Sequence, residues 1–347
     1  MANFRTYLIV NSLQSKIIKK LDFSKTNFKI NLSPEPTNCY WESSNGSTES
    51  IYSAGRNNFQ NPSENQQPQL ELVINSKTED IAENALSLLK GGILLAMPLP
   101  AISFLDLYTS KIIKTNNKFF QNQVGRFKKL DHIDFGCQVL EKIINNKECS
   151  YALEKYKVSL ELFALNPFSI DPRYGQFFEH YNTKKQIHTR LAFAIIAAFS
   201  AIEELSLEIR SSAKKPRFTN NEIGEWNPLI LKDIEDRLET IGIKKTETFD
   251  WVFRGEKTKI ENNLKPYFGF ESQWIKYGEE IRDKTLTFPE AIHNASYLRN
   301  FIASHKFKEL TEYISPYDVY NVQALARMLI LKNLSIPNCA KSCDFKV

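Results

Sequence analysis

The residues best suited to chemistry in this chain lie near its C-terminus, in the run YLRNFIASH. Arg299 is followed directly by the amide of Asn300, and His305 comes six positions after the arginine. A guanidinium group presents a fork of donors that fits phosphate oxygens, and an imidazole ring gains and loses a proton near neutral pH. The apolar residues around them recur at helical spacing, which predicts that these side chains are positioned by one helix.

The spacing of an arginine and a histidine carries little information by itself. The chain has five histidines, and two others follow an arginine at nearly the same distance: Arg126 precedes His132, and Arg173 precedes His180. Context separates the three pairs. No apolar stripe surrounds Arg126, and Gly175 in the second interval favours a turn over a helix. Only the C-terminal pair has a polar neighbour inside a strongly periodic segment.

Length and composition are those of a globular protein with one large or two ordinary domains. The 347 residues are 42% hydrophobic and 24% charged. The net charge of +5 permits a nucleic-acid partner without requiring one. Only 12 glycines are present, and no Walker-type or G-x-G-x-x-G run opens a nucleotide-binding loop.

The cysteines favour a reducing compartment, and no metal or cofactor is expected. Five cysteines are an odd number without framework spacing, which predicts a cytoplasmic protein. Cys339 and Cys343 have no matching second pair for a zinc site, and no cluster of acidic residues suggests a two-metal nuclease. No signal peptide opens the chain, and the most apolar stretch, residues 91–108, is too short and interrupted to span a bilayer, so no membrane partner is expected.

Residues 1–165 are predicted to form a smaller mixed α+β domain with a sensing or regulatory role. Three β-rich segments predict strands: 5–11, 28–32 and 70–75. The polar stretch 33–69 predicts a long loop, either disordered or with a short hairpin inside it. Thr78 is expected to begin a helix that ends before Gly91 and Gly92. Two further amphipathic segments predict helices: 134–145 and 148–165.

Turn signals over residues 166–184 predict a linker, and the chain beyond it is predicted to be mainly α. A helix over residues 185–212 has a dense apolar middle, so it is expected at the centre of a bundle or in a dimer interface. Asn227 and Pro228 predict the start of the next helix, and Gly242 its end.

The last two helices of the predicted bundle frame the candidate residues. Pro289 predicts the start of the helix that carries the motif, which is expected to run to about Ile314. A turn at Ser315 and Pro316 precedes a closing helix over residues 317–334. The remaining residues, 335–347, are predicted to be a tail, and residues 243–284 suggest only pieces of helix.

The segment 185–334 resembles the HEPN superfamily. It shares a long apolar first helix carrying the run SAIEEL, a shorter second helix, a third helix with Arg299-Asn300-(x4)-His305, and a closing helix after a Ser-Pro turn. The resemblance covers less than half of the chain, and the first 165 residues match no family. It implies a helical bundle that acts on RNA, so the fold class expected is mainly α with an HEPN-like bundle at the C-terminal end.

The resemblance implies a metal-independent endoribonuclease. Such enzymes use the ribose 2′-OH as nucleophile and leave a 2′,3′-cyclic phosphate and a 5′-OH. By this resemblance, His305 moves protons at the 2′-OH or the leaving oxygen, and Arg299 holds the phosphate oxygens. Asn300 orients His305 or the scissile phosphate. Glu203 matches the acidic position that pairs with the arginine, with Glu204 as the alternative.

The resemblance also implies the partners. Six residues of an ideal helix turn about 600°, so Arg299 and His305 would lie about 120° apart and converge poorly within one subunit. In HEPN proteins two motif helices pack together, which implies a homodimer with a composite active site. Lys306 and Lys308 are candidates to hold phosphates of tRNA or other single-stranded RNA. An antitoxin or trigger protein is the further partner of a toxin or anti-phage effector.

Each of these residues also has a structural interpretation. His305 can be a histidine of an apolar interface, Arg299 a structural partner of Glu203, and the two lysines a solvated face. The chain is then a catalytically silent helical module that binds RNA, nucleotide or a protein partner. The intact Arg-Asn-His set favours the enzyme, and toxicity on expression discriminates between the two. No partner is predicted for His293 or Asn294.

Overall fold

The computed structural model of the protein describes residues 1–9, 21–22, 27–32, 37–38, 41–42, 48–49, 68–96, 113–115, 131–164, 185–221, 224–253, 258–264, 273–274, 280–281, 283–306 and 313–337. The described part of the chain is mainly α-helical. The chain divides into two compact units. Unit 1 comprises Met1–Ala96 and Ile102–Asn145, and unit 2 comprises Met97–Ala101 and Asn146–Val347.

Unit 1 contains an antiparallel sheet. Its long central strands are β1 (Ala2–Ile9) and β7 (Pro68–Ser76), paired from Ala2 opposite Ser76 to Ile9 opposite Gln69. The order is β2-β3-β7-β1-β8, and β4 also pairs with β7. The shorter strands are β2 (Leu21–Asp22), β3 (Phe28–Leu32), β4 (Thr37–Asn38), β5 (Trp41–Glu42), β6 (Thr48–Glu49) and β8 (Ile113–Thr115), with β5 and β6 pairing separately. Strand β3 coincides with the predicted segment, whereas β1 and β7 begin earlier than predicted.

The described residues of unit 1 also form two helices, and the contact between these helices requires glycine at positions 92 and 136. Helix α1 (Glu79–Leu95) begins as predicted at Thr78, whose hydroxyl accepts a hydrogen bond from the Ile81 amide at 3.3 Å. The prediction that Gly91 and Gly92 follow this helix is wrong, since both are buried inside it. A Cβ on Gly92 would lie 2.7 Å from the carbonyl oxygen of Gly136 in α2 (Asp131–Ile143). The glycine permits a close helix crossing.

Unit 2 is a helical bundle around α4 (Lys185–Glu204). Helices α3 (Lys147–Leu162), α6 (Phe288–Ser304) and α7 (Pro316–Asn333) pack against it, and α5 (Pro228–Thr240) packs on α6. The central position of α4 fits its apolar sequence, because seven of its 20 side chains are fully buried in the bundle: Leu191, Ala192, Ala194, Ile195, Ala198, Ala201 and Ile202. None of the described helices is long and apolar enough to cross a membrane.

Helix α3 belongs to this bundle, although the predicted boundaries grouped it with the N-terminal domain. The Ser159 hydroxyl donates to the Ala194 carbonyl of α4 at 2.7 Å, and the Gln323 amide of α7 donates to the Ser159 oxygen at 2.9 Å. These buried bonds join three helices through one serine. The predicted linker, 166–184, lies outside the described residues.

The end of α4 differs from the predicted end at residue 212. The helix stops at Glu204, and Ser206 adopts a left-handed conformation with φ 57°. The Leu207 amide donates to the Ile202 carbonyl at 3.2 Å, which closes the helix in a Schellman arrangement. Serine occupies the position where glycine is usual, so the sequence carried no clear stop signal.

Short strands in unit 2 fix the start of the helix that carries the motif. Strand β11 (Thr248–Trp251) pairs with β14 (Lys284–Thr287), which runs directly into α6. Thr287 and Glu290 form a capping box there, with the Thr287 amide donating to the Glu290 carboxylate at 2.9 Å. The other strands and turn are β9 (Phe218–Asn220), β10 (Glu225–Trp226), a 3-10 turn (Glu261–Asn263), β12 (Gln273–Trp274) and β13 (Glu280–Ile281).

Helix α5 confirms the predicted caps. Asn227 precedes it and accepts a hydrogen bond from the Leu229 amide at 3.1 Å, and Pro228 is its first residue. Gly242 follows it with φ 79°, a left-handed conformation that glycine adopts without strain.

Candidate functional site

Arg299 is held at the surface where α6 meets the end of α4. Its Nη2 lies 3.2 Å from Oε1 of Glu203, and its Nη1 donates to Oδ1 of Asn300 at 3.0 Å. The guanidinium carbon lies 6.0 Å from the centre of the buried Phe199 ring. The predicted contact between Glu203 and Arg299 is therefore confirmed. The arginine side chain is still 37% exposed, so a ligand can reach the guanidinium group.

The neighbouring acid, Glu204, has a different partner. Its Oε2 lies 2.5 Å from Nζ of Lys155 in α3. The Ser200 hydroxyl, one turn earlier on α4, donates to Oε2 of Glu203 at 3.3 Å and supports the carboxylate that faces Arg299. Of the two acids considered from sequence, Glu203 is the one that contacts the arginine.

If the chain cleaves RNA as the resemblance implies, Glu203→Gln should lower the cleavage rate by about tenfold, because a neutral amide holds the guanidinium group less firmly in place. The same change should alter the free energy of unfolding by less than about 1 kcal/mol, since an exposed ion pair contributes little to stability. Initial cleavage rates and thermal unfolding of the same preparation measure both quantities. Glu204→Gln is the matched control, and equal losses of activity in both variants would contradict the positioning role of Glu203.

His305 lies one residue beyond the helix, which corrects the prediction that α6 runs to about Ile314. The helix ends at Ser304, and His305 has extended backbone angles, φ −111° and ψ 155°. The Ser304 hydroxyl donates to the carbonyl oxygens of Asn300 and Phe301 at 3.0 and 3.1 Å, which satisfies carbonyl groups of the last turn. The expected separation of about 120° from Arg299 therefore does not apply, because His305 does not continue the helix.

The His305 ring is held by aromatic side chains. It stacks on the Phe301 ring with centroids 4.0 Å apart and planes 20° apart, and Tyr313 lies 4.9 Å from Phe301 and 6.5 Å from His305. Stacking of this kind contacts the face of the imidazole ring. The histidine is exposed, as proton transfer to a bound substrate requires.

Asn300 contacts Arg299, and the two predicted phosphate-binding lysines follow His305 in the chain. Asn300 is exposed, and its side-chain oxygen accepts from Arg299, so it orients the arginine. Lys306 is exposed directly after His305, as a phosphate contact would be, whereas Lys308 lies outside the described residues. A cation that sequence reasoning missed, Lys259, has its Nζ 5.6 Å from the centre of the Tyr313 ring. It is distant in sequence, and no local pattern marked it.

His293, for which the sequence suggested no partner, is structural. Its Nδ1 lies 2.8 Å from Nη1 of Arg217, whose Nη2 donates to the Ser296 hydroxyl at 3.3 Å. Because arginine only donates, Nδ1 is the acceptor and the ring proton is on Nε2. The imidazole is 3% exposed and packs edge-on against Phe218. The contact fastens the β9–β10 hairpin to α6.

The described residues offer no other reactive centre of the kinds considered from sequence. They contain no group of three or more histidine, cysteine or acidic side chains placed to bind a metal ion. Cys137 and Cys149 are buried free thiols, and burial raises the pKa of Cys149 to about 11, which disfavours the reactive thiolate. Burial also lowers the pKa of His188 and keeps that ring neutral. Cys39, Cys339 and Cys343 lie outside the described residues.

The candidate residues thus form two groups near the C-terminal end of α6. Arg299 forms one group with Glu203 and Asn300, and His305 forms the other with Phe301 and Tyr313. The first group can bind an anion, and the second offers an exposed imidazole. Comparison of the chain with protein-family models, with curated proteins and with solved structures gave no match.

Proposed function

We propose that the protein is a metal-independent endoribonuclease of the HEPN type. It cleaves RNA through attack by a ribose 2′-OH and leaves 2′,3′-cyclic phosphate and 5′-OH ends. The observation that carries the proposal is the guanidinium group of Arg299, held by Glu203 and Asn300 at an exposed surface, six residues before an exposed His305 that stacks on Phe301. An anion-binding fork and a proton-transfer group are the two parts that this reaction needs.

The proposed cleavage step needs neither water nor an external cofactor. The 2′-oxygen forms a bond to the adjacent phosphorus as the bond from phosphorus to the 5′-oxygen breaks. A neutral His305 accepts the 2′-OH proton, and a protonated His305 donates a proton to the leaving 5′-oxygen. Arg299 binds the non-bridging phosphate oxygens, where negative charge accumulates in the transition state. Glu203 supports that guanidinium from behind.

The reaction uses His305 both as a base and as an acid, which suggests that two copies of His305 act at one phosphate. A homodimer brings two His305 side chains to one phosphate, one as base and the other as acid. An exposed stripe on α4 supports this arrangement. Phe193 is 47% exposed, and Ile196, Ala197 and Ser200 follow it at helical spacing, half-buried, toward Glu203. A second copy seated on this stripe would cover apolar surface beside Glu203 and the arginine that it contacts.

The substrate we propose is tRNA or another single-stranded RNA, and the biological role is that of a toxin or anti-phage effector in the cytoplasm. The net charge of +5 and the exposed Lys306 are compatible with a polyanion. An antitoxin or a trigger protein would control such an enzyme, and unit 1 is the part of the chain that we assign to sensing it. These roles rest on the resemblance to HEPN proteins.

The test is cleavage of RNA by the purified full-length chain in excess EDTA. We would incubate it with total tRNA and with an unstructured RNA, identify the product ends, and measure the sedimentation mass of the same preparation. Products with 2′,3′-cyclic phosphate and 5′-OH ends, formed by a particle of twice 40.1 kDa, are expected. Cleavage that EDTA abolishes, or products with 5′-phosphate ends, would overturn the proposed chemistry.

A catalytically silent helical module is the second candidate. The contacts of Arg299 with both Glu203 and Asn300 favour it, because they are also the contacts of a structural ion pair. Expression in cells separates the two candidates. If the wild-type chain and His305→Ala are equally harmless, and neither cleaves RNA, the silent module accounts for the site.

A further inference from the structure

We infer that Tyr313 and Lys259 form a nucleotide-binding subsite beside His305, in which an unpaired RNA base stacks on the Tyr313 ring and Lys259 binds a phosphate. The inference rests on the proposed function, since it names the nucleotide next to the bond that His305 cleaves. It makes the substrate class single-stranded RNA with an accessible base at this position.

The placement of the tyrosine carries the inference. The Tyr313 ring centre lies 6.5 Å from that of His305, a distance comparable to the spacing of neighbouring nucleotides in an extended strand. Phe301 contacts both rings, with its centroid 4.0 Å from that of His305 and 4.9 Å from that of Tyr313, and joins them to the end of α6. Tyr313 is half-buried, so part of the ring is accessible to a base. Aromatic rings bind bases of any sequence by stacking.

Lys259 supplies the charge that a nucleotide requires. Its Nζ lies 5.6 Å from the centre of the Tyr313 ring, and the residue is exposed. A lysine ammonium on a flexible stem can leave the ring for a phosphate when a base arrives. Lys306 is a second exposed cation, directly after His305. Lys259 thus places one positive charge beside the aromatic group, and Lys306 adds a second in the residue that follows His305.

The backbone that carries Lys259 is anchored. The following residue, Ile260, is fully buried, and the amide of Thr258 donates to Oε1 of Glu261 at 3.0 Å. Glu261 is itself 3% exposed, so its carboxylate is engaged by the turn and buried. The lysine therefore projects from a fixed turn, which suits a specific contact.

The subsite explains why single strands would be preferred. Bases in a duplex are stacked on their neighbours and present no free face to a tyrosine. An unpaired base can leave its stack at small cost and place its sugar-phosphate beside His305. The position of the Tyr313 ring beside His305 would then make the protein select unpaired RNA.

The test is binding of a fluorescent single-stranded RNA whose 2′ positions are all O-methylated, so that cleavage cannot occur. Fluorescence anisotropy would compare the full-length wild-type chain with Tyr313→Leu, Tyr313→Phe and Lys259→Met. The matched controls are Tyr151→Leu and Lys147→Met, because Lys147 Nζ lies 6.0 Å from the Tyr151 ring centre in a similar pair on α3. Competition by an RNA duplex of the same sequence and by a free mononucleotide completes the set.

We expect Tyr313→Leu to weaken binding by about tenfold or more, as loss of one stacked base does. Tyr313→Phe should bind nearly as the wild type, because it keeps the ring. Lys259→Met should weaken binding and reduce its dependence on salt. The Tyr151 and Lys147 variants should leave binding unchanged, and neither duplex nor mononucleotide should compete as well as the single strand.

Equal binding by wild type and Tyr313→Leu would overturn the inference, as would equal losses in the Phe and Leu variants or no binding by the wild type. The proposed function is tested separately by cleavage of unmodified RNA. If the chain cleaves RNA but its binding does not depend on Tyr313, the proposed function stands and the proposed subsite is wrong. Binding that depends on Tyr313, without cleavage by any variant, would leave an RNA-binding module. Thermal unfolding of each variant shows that the chain remains folded.

Discussion

Replacing either His305 or Arg299 with alanine is expected to lower the rate of RNA cleavage in EDTA by about a thousandfold, because each removes a group that acts only as the phosphate reacts. Loss of His305 leaves no group to accept the 2′-OH proton. Loss of Arg299 leaves the developing negative charge without its fork of donors. Single-turnover rates, with identification of the product ends, measure the effect on the chemical step.

The surroundings of both residues allow this effect to be separated from unfolding. Arg299 is 37% exposed and His305 is exposed, so alanine at either position should change the free energy of unfolding by less than about 1 kcal/mol. Arg210→Ala is the matched control, since it removes another exposed arginine that pairs with a glutamate, Glu208. It should cleave at the wild-type rate.

The double variant adds a further criterion. Arg299→Ala combined with His305→Ala should be about as inactive as either single variant, because losses of activity do not add when both groups act on the same transition state. Arg299→Lys should retain part of the activity, since it keeps the charge and loses the planar fork. Wild-type rates in both alanine variants would place the chemistry elsewhere in the chain or in a contaminant.

Local signals in the sequence correctly predicted the helix ends that have capping residues. Thr78 begins α1, Asn227 and Pro228 begin α5, and Gly242 ends it, because caps act through neighbours in the chain. The same signals failed at Gly92. The sequence alone cannot distinguish a glycine that ends a helix from a glycine at a helix crossing. Here only the position of α2 shows that Gly92 lies at a crossing.

The candidate site could be predicted only in part for a related reason. The pairing of Glu203 with Arg299 was expected from the order of residues in a resembling family, and the structure contains it. The end of α6 at Ser304 was not expected, because a serine hydroxyl closes the helix without glycine or proline. The stacking of His305 and the position of Tyr313 depend on that end. A sequence pattern extended as an ideal helix could not have given them.

A buried acid at the start of α7 should make the stability of the protein fall as pH rises from about 4 to 7. Asp318 is 2% exposed, and one of its oxygens accepts a hydrogen bond from the Ser315 amide at 2.7 Å. Burial raises the pKa of this carboxyl group from 3.8 to about 7. The backbone hydrogen bond from Ser315 opposes the rise, and the charge of Glu261 adds to it. The folded chain thus binds a proton in this interval that the unfolded chain has released.

The sign of the effect follows from proton binding. Below about pH 4, Asp318 is protonated in both states, and its contribution to stability is fully present. As pH rises toward 7, only the unfolded state gains the ionised form freely, so the free energy of unfolding decreases. A pKa shift of this size lowers the free energy of unfolding by about 4 kcal/mol between pH 4 and pH 7.

Asp318→Asn removes the titration and keeps an oxygen that can accept the Ser315 hydrogen bond. Chemical unfolding at several pH values between 4 and 8 should show the two proteins nearly equal at pH 4, with the asparagine variant increasingly the more stable as pH rises. Asp236→Asn, at an exposed position, is the control for a general change of charge. A difference that stays constant with pH would mean that the start of α7 admits water and that both forms of the acid are solvated.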